Sequence, residues 1–87
     1  IEDIVSRYYL RFSVVDEPGV LASIASFLGE QGISIASVIQ KERHSDESVP
    51  VIILTHEALE SGLKQALSVI EEMDYILART QMIRIEQ

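Results

Sequence analysis

The residues best placed to do chemistry are Asp16-Glu17-Pro18-Gly19-Val20-Leu21, joined further along by Gly32-Ile33-Ser34-Ile35. The first group sets two carboxylates, a proline and a glycine where an alternating apolar stretch gives way to helical spacing. Pro18 suits the first turn of a helix, where its missing N–H would have no partner. The other amides of such a turn have no acceptor inside the helix. Asp16 reads equally as a cap just before that helix. Together these make a small pocket-forming unit, and its chemistry suits binding better than catalysis.

Catalytic constellations are missing from the sequence. His44 and His56 are the only histidines, and neither has a partner at metal-ligand spacing. His44 sits in a charged loop and reads as solvated. His56, in Thr55-His56-Glu57, reads as a cap or a contact residue. No Gly-x-Ser-x-Gly elbow and no phosphate-cradling glycine loop occurs. There is no cysteine, which excludes disulfides, thiolate metal sites and a cysteine nucleophile. Glu71, Glu72 and Asp74 form an acidic helix end and read as a solvated face. No catalytic residue and no metal site is assigned. The formal charge of −7, with no run of Lys or Arg, argues against nucleic acid and anionic membranes as partners. No apolar run reaches the ~18 residues of a membrane span. No signal peptide is visible, so the expected compartment is the cytoplasm.

The elements that must hold the first group are legible. Residues 7–15 alternate with period two, with Tyr8, Leu10, Phe12 and Val14 on one face and Arg11 and Ser13 on the other. Tyr8 and Phe12 share their face with aliphatic residues, so they belong to the core and not to an RNA-binding surface. A helix is expected from Pro18 to Gln31, with Val20, Leu21, Ile24, Phe27 and Leu28 along one stripe. Gly32 is its expected C-terminal cap. A second strand covers 33–40, with Ile33, Ile35, Ser37 and Ile39 on one face. Ala36 and Val38 on the other face suggest partial cover there too. A loop spans 41–48, and a third strand 49–55 contains Pro50, which should lie near a strand end or a free edge. A second helix falls within 59–73, with Leu59, Leu63, Ala66, Leu67, Ile70 and Met73 on its stripe. A last strand covers 75–86. The order β-α-β-β-α-β predicts an α+β, ferredoxin-like sandwich, with a four-stranded antiparallel sheet and both helices on one face.

The 87 residues suffice for one small domain, with 47% hydrophobic residues for its core. Oligomerisation is a common remedy for the marginal stability of so small a core. The opening Ile1-Glu2-Asp3-Ile4-Val5-Ser6 reads as the tail of a connection. The expectation is a linker over 1–6, a domain over 7–87, and a longer parent protein.

The turn Asp16-Glu17-Pro18-Gly19-Val20-Leu21 and the closing Gly32-Ile33-Ser34-Ile35 resemble the signature of the ACT domain family, small amino-acid-sensing modules. Ser34 stands where many relatives carry Asn. Longer segments, Tyr8-Tyr9-Leu10-Arg11-Phe12, Ile35-Ala36-Ser37-Val38-Ile39-Gln40, and Val49-Pro50-Val51 with Thr55-His56-Glu57-Ala58, resemble the C-terminal regulatory domain of the homoserine dehydrogenase family. That resemblance implies a parent oxidoreductase that reduces aspartate semialdehyde to homoserine with NAD(P). The sequence has no Gly-x-Gly-x-x-Gly, so no cofactor is expected on this fragment.

The resemblance also implies a ligand between two paired domains, against the first turn and the start of the second strand. The implied ligand-binding residues are Asp16, Glu17, Pro18, Gly19, Val20, Leu21, Gly32, Ile33, Ser34 and Ile35. Gly19 would let a ligand approach the backbone, helix amides would receive a carboxylate, and Asp16 would meet an ammonium group. By analogy the ligand is threonine, acting in feedback control, and the partner is a second copy of the chain. Ser34 also reads as a plain strand hydroxyl, Gln40 as pocket-lining or solvent-facing, and Arg11 as the partner of a nearby acid.

Overall fold

The computed structural model describes residues 4–40 and 48–85. Residues 1–3 of the expected linker, His44 and nearly all of the expected 41–48 loop lie outside them. The elements are β1 (Val5–Val14), α1 (Val20–Glu30), β2 (Ile35–Gln40), β3 (Val49–Thr55), β4 (Ala58–Leu59), α2 (Glu60–Ile70) and β5 (Gln81–Ile85). The sheet is antiparallel throughout. β1 lies between β3 and β5, and β2 pairs with the far side of β3.

β1 is the organising strand. Tyr8, Leu10 and Phe12 are fully buried and Val14 nearly so, all on the helix-covered face. Opposite them in β3, Val51 and Ile53 continue the same face. Burying each such side chain contributes about 1.5–3 kcal/mol. The expected stripes supply the other layer: Val20, Ile24 and Leu28 from α1, and Leu63, Ala66, Leu67 and Ile70 from α2. Tyr8 keeps its hydroxyl satisfied by donating to Glu60 Oε1 at 3.2 Å.

Both ends of α1 are set by glycines with positive φ. At its C-terminus the N–H of Ile33 donates to the Leu28 carbonyl at 3.0 Å and that of Gly32 to the Gly29 carbonyl at 2.9 Å. This is a Schellman closure, with Gly32 at φ 76° and Leu28 and Ile33 packed in the core. It takes Ile33 and Ser34 out of β2, which begins at Ile35 rather than at residue 33.

Three other boundaries differ from the sequence expectation. β1 starts at Val5, because Val5 and Ser6 pair with Leu59 and Ala58. This two-residue β4 picks up β1 where β3 leaves off, one residue out of step, and it takes Leu59 off the buried helix stripe. Thr55 bridges the misfit. Its buried hydroxyl accepts the Tyr8 N–H at 3.0 Å, and its carbonyl accepts Arg7 Nε at 3.3 Å.

The expected final strand is split. Val15 N–H donates to the Tyr75 carbonyl and Leu77 N–H to the Ser13 carbonyl, each at 2.9 Å. The chain then leaves the ladder before β5, held by Glu71 Oε2, which accepts the Thr80 N–H at 3.0 Å. In β2 a register shift between Ile35 and Ser37 makes Ala36 an extra residue. The shift breaks the expected alternation: Ile35 is opposite Thr55 on the helix-covered face, whereas Ile39, expected beside it, is opposite Ile52 on the other face. The expected cover over Ala36 and Val38 is absent, since both are exposed on a sheet edge.

Thr55→Val keeps the shape of the kink and removes the acceptor for the Tyr8 N–H. It should lower stability in urea unfolding by about 1–3 kcal/mol, whereas Thr55→Ser should recover most of that loss.

Candidate functional site

The turn between β1 and α1 is built from its sequence. Val20 N–H donates to the Glu17 carbonyl at 3.4 Å, with Pro18 and Gly19 at the two central positions. Gly19 has φ 88° and ψ −11°, the third-position geometry of a type II turn, which takes proline before it. A residue in that conformation cannot sit inside an α-helix, so α1 begins at Val20 and not at Pro18. The cap position falls to Gly19, which has no side chain to cap with, and Asp16 is therefore not the N-cap residue. The first helical bond runs from the Ser23 N–H to the Gly19 carbonyl at 2.9 Å.

Above this turn lies a cavity of about 240 Å³. It is lined by Val14 and Val15, by all six residues Asp16, Glu17, Pro18, Gly19, Val20 and Leu21, and by Ala22, Gln40, Val49 and Val51. At ~30 Å³ per water it holds roughly eight waters, a volume below that of drug-sized pockets. The cavity has two chemical zones. One is the mouth of α1, where the amides of Leu21 and Ala22 belong to a first turn with no acceptor inside the helix and with the positive end of its dipole. The other is the exposed pair Asp16 and Glu17. Between them the wall is aliphatic, from Val14, Val49 and Val51. Such a site suits a small molecule that carries an anion, a cation and a short side chain.

Gly19 earns its place through backbone conformation. A Cβ built there meets nothing within 4 Å, so the position is open to the cavity and only its φ demands glycine.

The second predicted group lies elsewhere in the chain. Ser34 accepts the His56 N–H on its carbonyl at 2.9 Å, and Ile35 pairs with Thr55. The cavity is at the other end of the sheet, where Gln40 pairs with Val51 and Val14 with Val49. Five residue steps along β2 separate Ile35 from Gln40, or roughly 16 Å at ~3.3 Å per residue. Gly32, Ile33, Ser34 and Ile35 thus do not line this cavity within one chain. Gln40, left open between pocket and solvent, lines the cavity while remaining exposed. Val49 was assigned only to a strand. The register of β3 against β1 carries Val49 to the turn, and the bulge at Ala36, which sequence alternation does not reveal, carries Gln40 there. Arg11 is exposed on the sheet face away from the helices. His56 is exposed beyond Thr55. Among the described residues there is no cluster of metal-binding side chains, and no helix is long and apolar enough to cross a membrane.

Residues 8–73 match the profile of the ACT domain family. The whole chain is 41% identical to one fifth of a homoserine dehydrogenase from Pseudomonas aeruginosa. It superposes on the crystal structure of a homoserine dehydrogenase from Thiobacillus denitrificans with a TM-score of 0.86 and 38% identity, covering 98% of this chain and 18% of that one. The ACT domain from GTP pyrophosphokinase of Chlorobium tepidum shares the fold at 9% identity, with a TM-score of 0.71 over 92% of this chain and all of that one. The chain therefore spans about a fifth of the length of the homoserine dehydrogenases it matches.

Two glycines of one helix should respond in opposite directions. Gly19→Ala should destabilise the chain by about 1–2 kcal/mol, because alanine resists positive φ. Gly29→Ala, at an open helical position with no positive φ, should stabilise it by roughly 0.5–1 kcal/mol. Urea denaturation of both variants checks the pair.

Proposed function

The chain belongs to the ACT domain family, and from that premise we propose that it is the regulatory amino-acid-binding domain of a homoserine dehydrogenase, with L-threonine as its effector. The parent would reduce aspartate semialdehyde to homoserine with NAD(P) in the cytoplasm, and this domain would report threonine to it as feedback. The observation that carries the ligand reading is the cavity at the β1–α1 turn, with helix amides on one side and Asp16 on the other. A zwitterion matches both: carboxylate to the amides of Leu21 and Ala22, ammonium to Asp16. The short side chain would rest on Val49 and Val51, and the amide of Gln40 would meet a hydroxyl. That last contact separates threonine from valine, since a polar group left without a partner costs binding.

A second copy of the chain completes the site in this reading. β2 is an exposed edge, and its outer N–H and C=O groups are available to another strand. If two β2 edges pair antiparallel, the start of one strand lies beside the end of the other. The partner's Ser34 and Ile35 would then reach the turn that holds Asp16. This gives the second sequence group a role that one chain denies it. Feedback would require threonine to bind one arrangement of the paired domains better than another.

Calorimetric titration of L-threonine, with valine as control, tests the proposal. Saturable threonine binding is expected. Asp16→Ala should weaken it by about 10–100-fold, the loss of a charge-assisted hydrogen bond. Gln40→Ala should narrow the preference for threonine over valine. Threonine at 100 times its Kd should raise stability by about 2.7 kcal/mol. A folded, dimeric chain that ignores millimolar threonine would instead be a structural pairing domain.

A further inference from the structure

The sheet has a second face, opposite the helices, and among the described residues no helix or strand packs on it; Ile52 within it is 8% exposed, with Tyr9 and Leu54 half-buried. The registers place Ser37, Leu54, Tyr9 and Ile83 in one row across the four long strands, with Ile39, Ile52, Arg11 and Gln81 in the next. Beyond them come Arg7 beside Ile85, and Val5 beside Leu59. Large apolar side chains stand open here: Val5 is 57% exposed, Ile83 54%, Leu59 51% and Ile39 45%. At ~4.8 Å between strands and ~3.3 Å per residue the face measures roughly 500 Å². That outline, its polar members included, is about two thirds of one side of a standard protein interface.

The charges on this face select its occupant. The chain carries 14 acidic residues against 7 basic ones. Yet the rows just named hold Arg7 and Arg11 and no carboxylate. Two copies meeting through this face would bring four guanidinium groups together, and among the described residues the acid nearest them is Glu57, which borders the Val5, Arg7 and Ile85 end and leaves Arg11 unmatched. Their desolvation would oppose the apolar gain. A complementary surface is apolar with carboxylates opposite Arg7 and Arg11.

Resting on the reading of the chain as one domain of a larger enzyme, we infer that the open sheet face docks on the body of that enzyme, against an apolar surface bearing carboxylates. The relatives that match this chain have four fifths of their length outside the match, so such a body exists in them. The face is separate from the amino-acid cavity. β1 and β3 contribute to both, with inward side chains to the cavity wall and outward ones to the docking surface.

The chain has no cysteine, so single thiols introduced into it report the cover directly. Ile83→Cys places one on the open face, and Ser68→Cys places one on the exposed side of α2. Both should react with a maleimide at similar rates in the 87-residue chain. In the full-length protein that contains the chain, measured against that protein without the added thiol, Ile83→Cys should slow by about tenfold or more while Ser68→Cys holds its rate. Adding Arg11→Glu should restore much of the Ile83→Cys reactivity. Equal rates for Ile83→Cys in chain and full-length protein would overturn the inference. So would a slowing in the isolated chain that grows with its concentration, since a second copy would then be the cover. Labelling requires no threonine, so a failed titration leaves this result unaffected.

Discussion

Hydrogen bonding of β1 on both of its sides is the constraint from which the rest of the molecule follows. A strand paired on both sides cannot slip by one residue without turning Tyr8, Leu10, Phe12 and Val14 out of the core. Its fixed register sets that of β3, and β3 sets that of β2. Both helices then pack on the single face that this alternation makes apolar. The cavity sits where β1 ends, so its position is as well determined as the core.

Local irregularities adapt this frame to its tasks. The type II turn at Pro18-Gly19 delays α1 and leaves its first amides facing the cavity. The Thr55 kink lets the chain continue along β1 after β3 has fallen out of step, and a side-chain hydroxyl serves the amide that the slip would strand. The bulge at Ala36 turns Gln40 toward the cavity and leaves Ile39 on the open face. Each spends a residue out of pattern, and each alters what one end of the sheet presents.

These irregularities also mark where the sequence could be read and where it could not. The alternation in β1, the bounds of β3 and the buried stripe of α2 from Leu63 to Ile70 were legible because each follows one period without interruption. The turn itself was legible because proline followed by glycine breaks the alternation of β1. Its effect on the helix start was not, because Pro18 fits a first helical turn as well as a β-turn. The two-residue β4 is too short to show a period, and the escape of 78–80 from the last strand depends on Glu71, distant in sequence. Gln40 was ambiguous for a related reason: one extra residue in β2 reverses the face of everything after it.

The cavity joins two materials under different physical constraints. One end is backbone, the first amides of α1, set by a turn whose φ of 88° at position 19 favours glycine. The other is side chains at the end of an edge strand, with Gln40 exposed and outside the core. A substitution at Gln40 can therefore change the rim of the cavity while the turn and the mouth of α1 stay intact. The chemistry of that rim is thus separable from the packing that holds the fold.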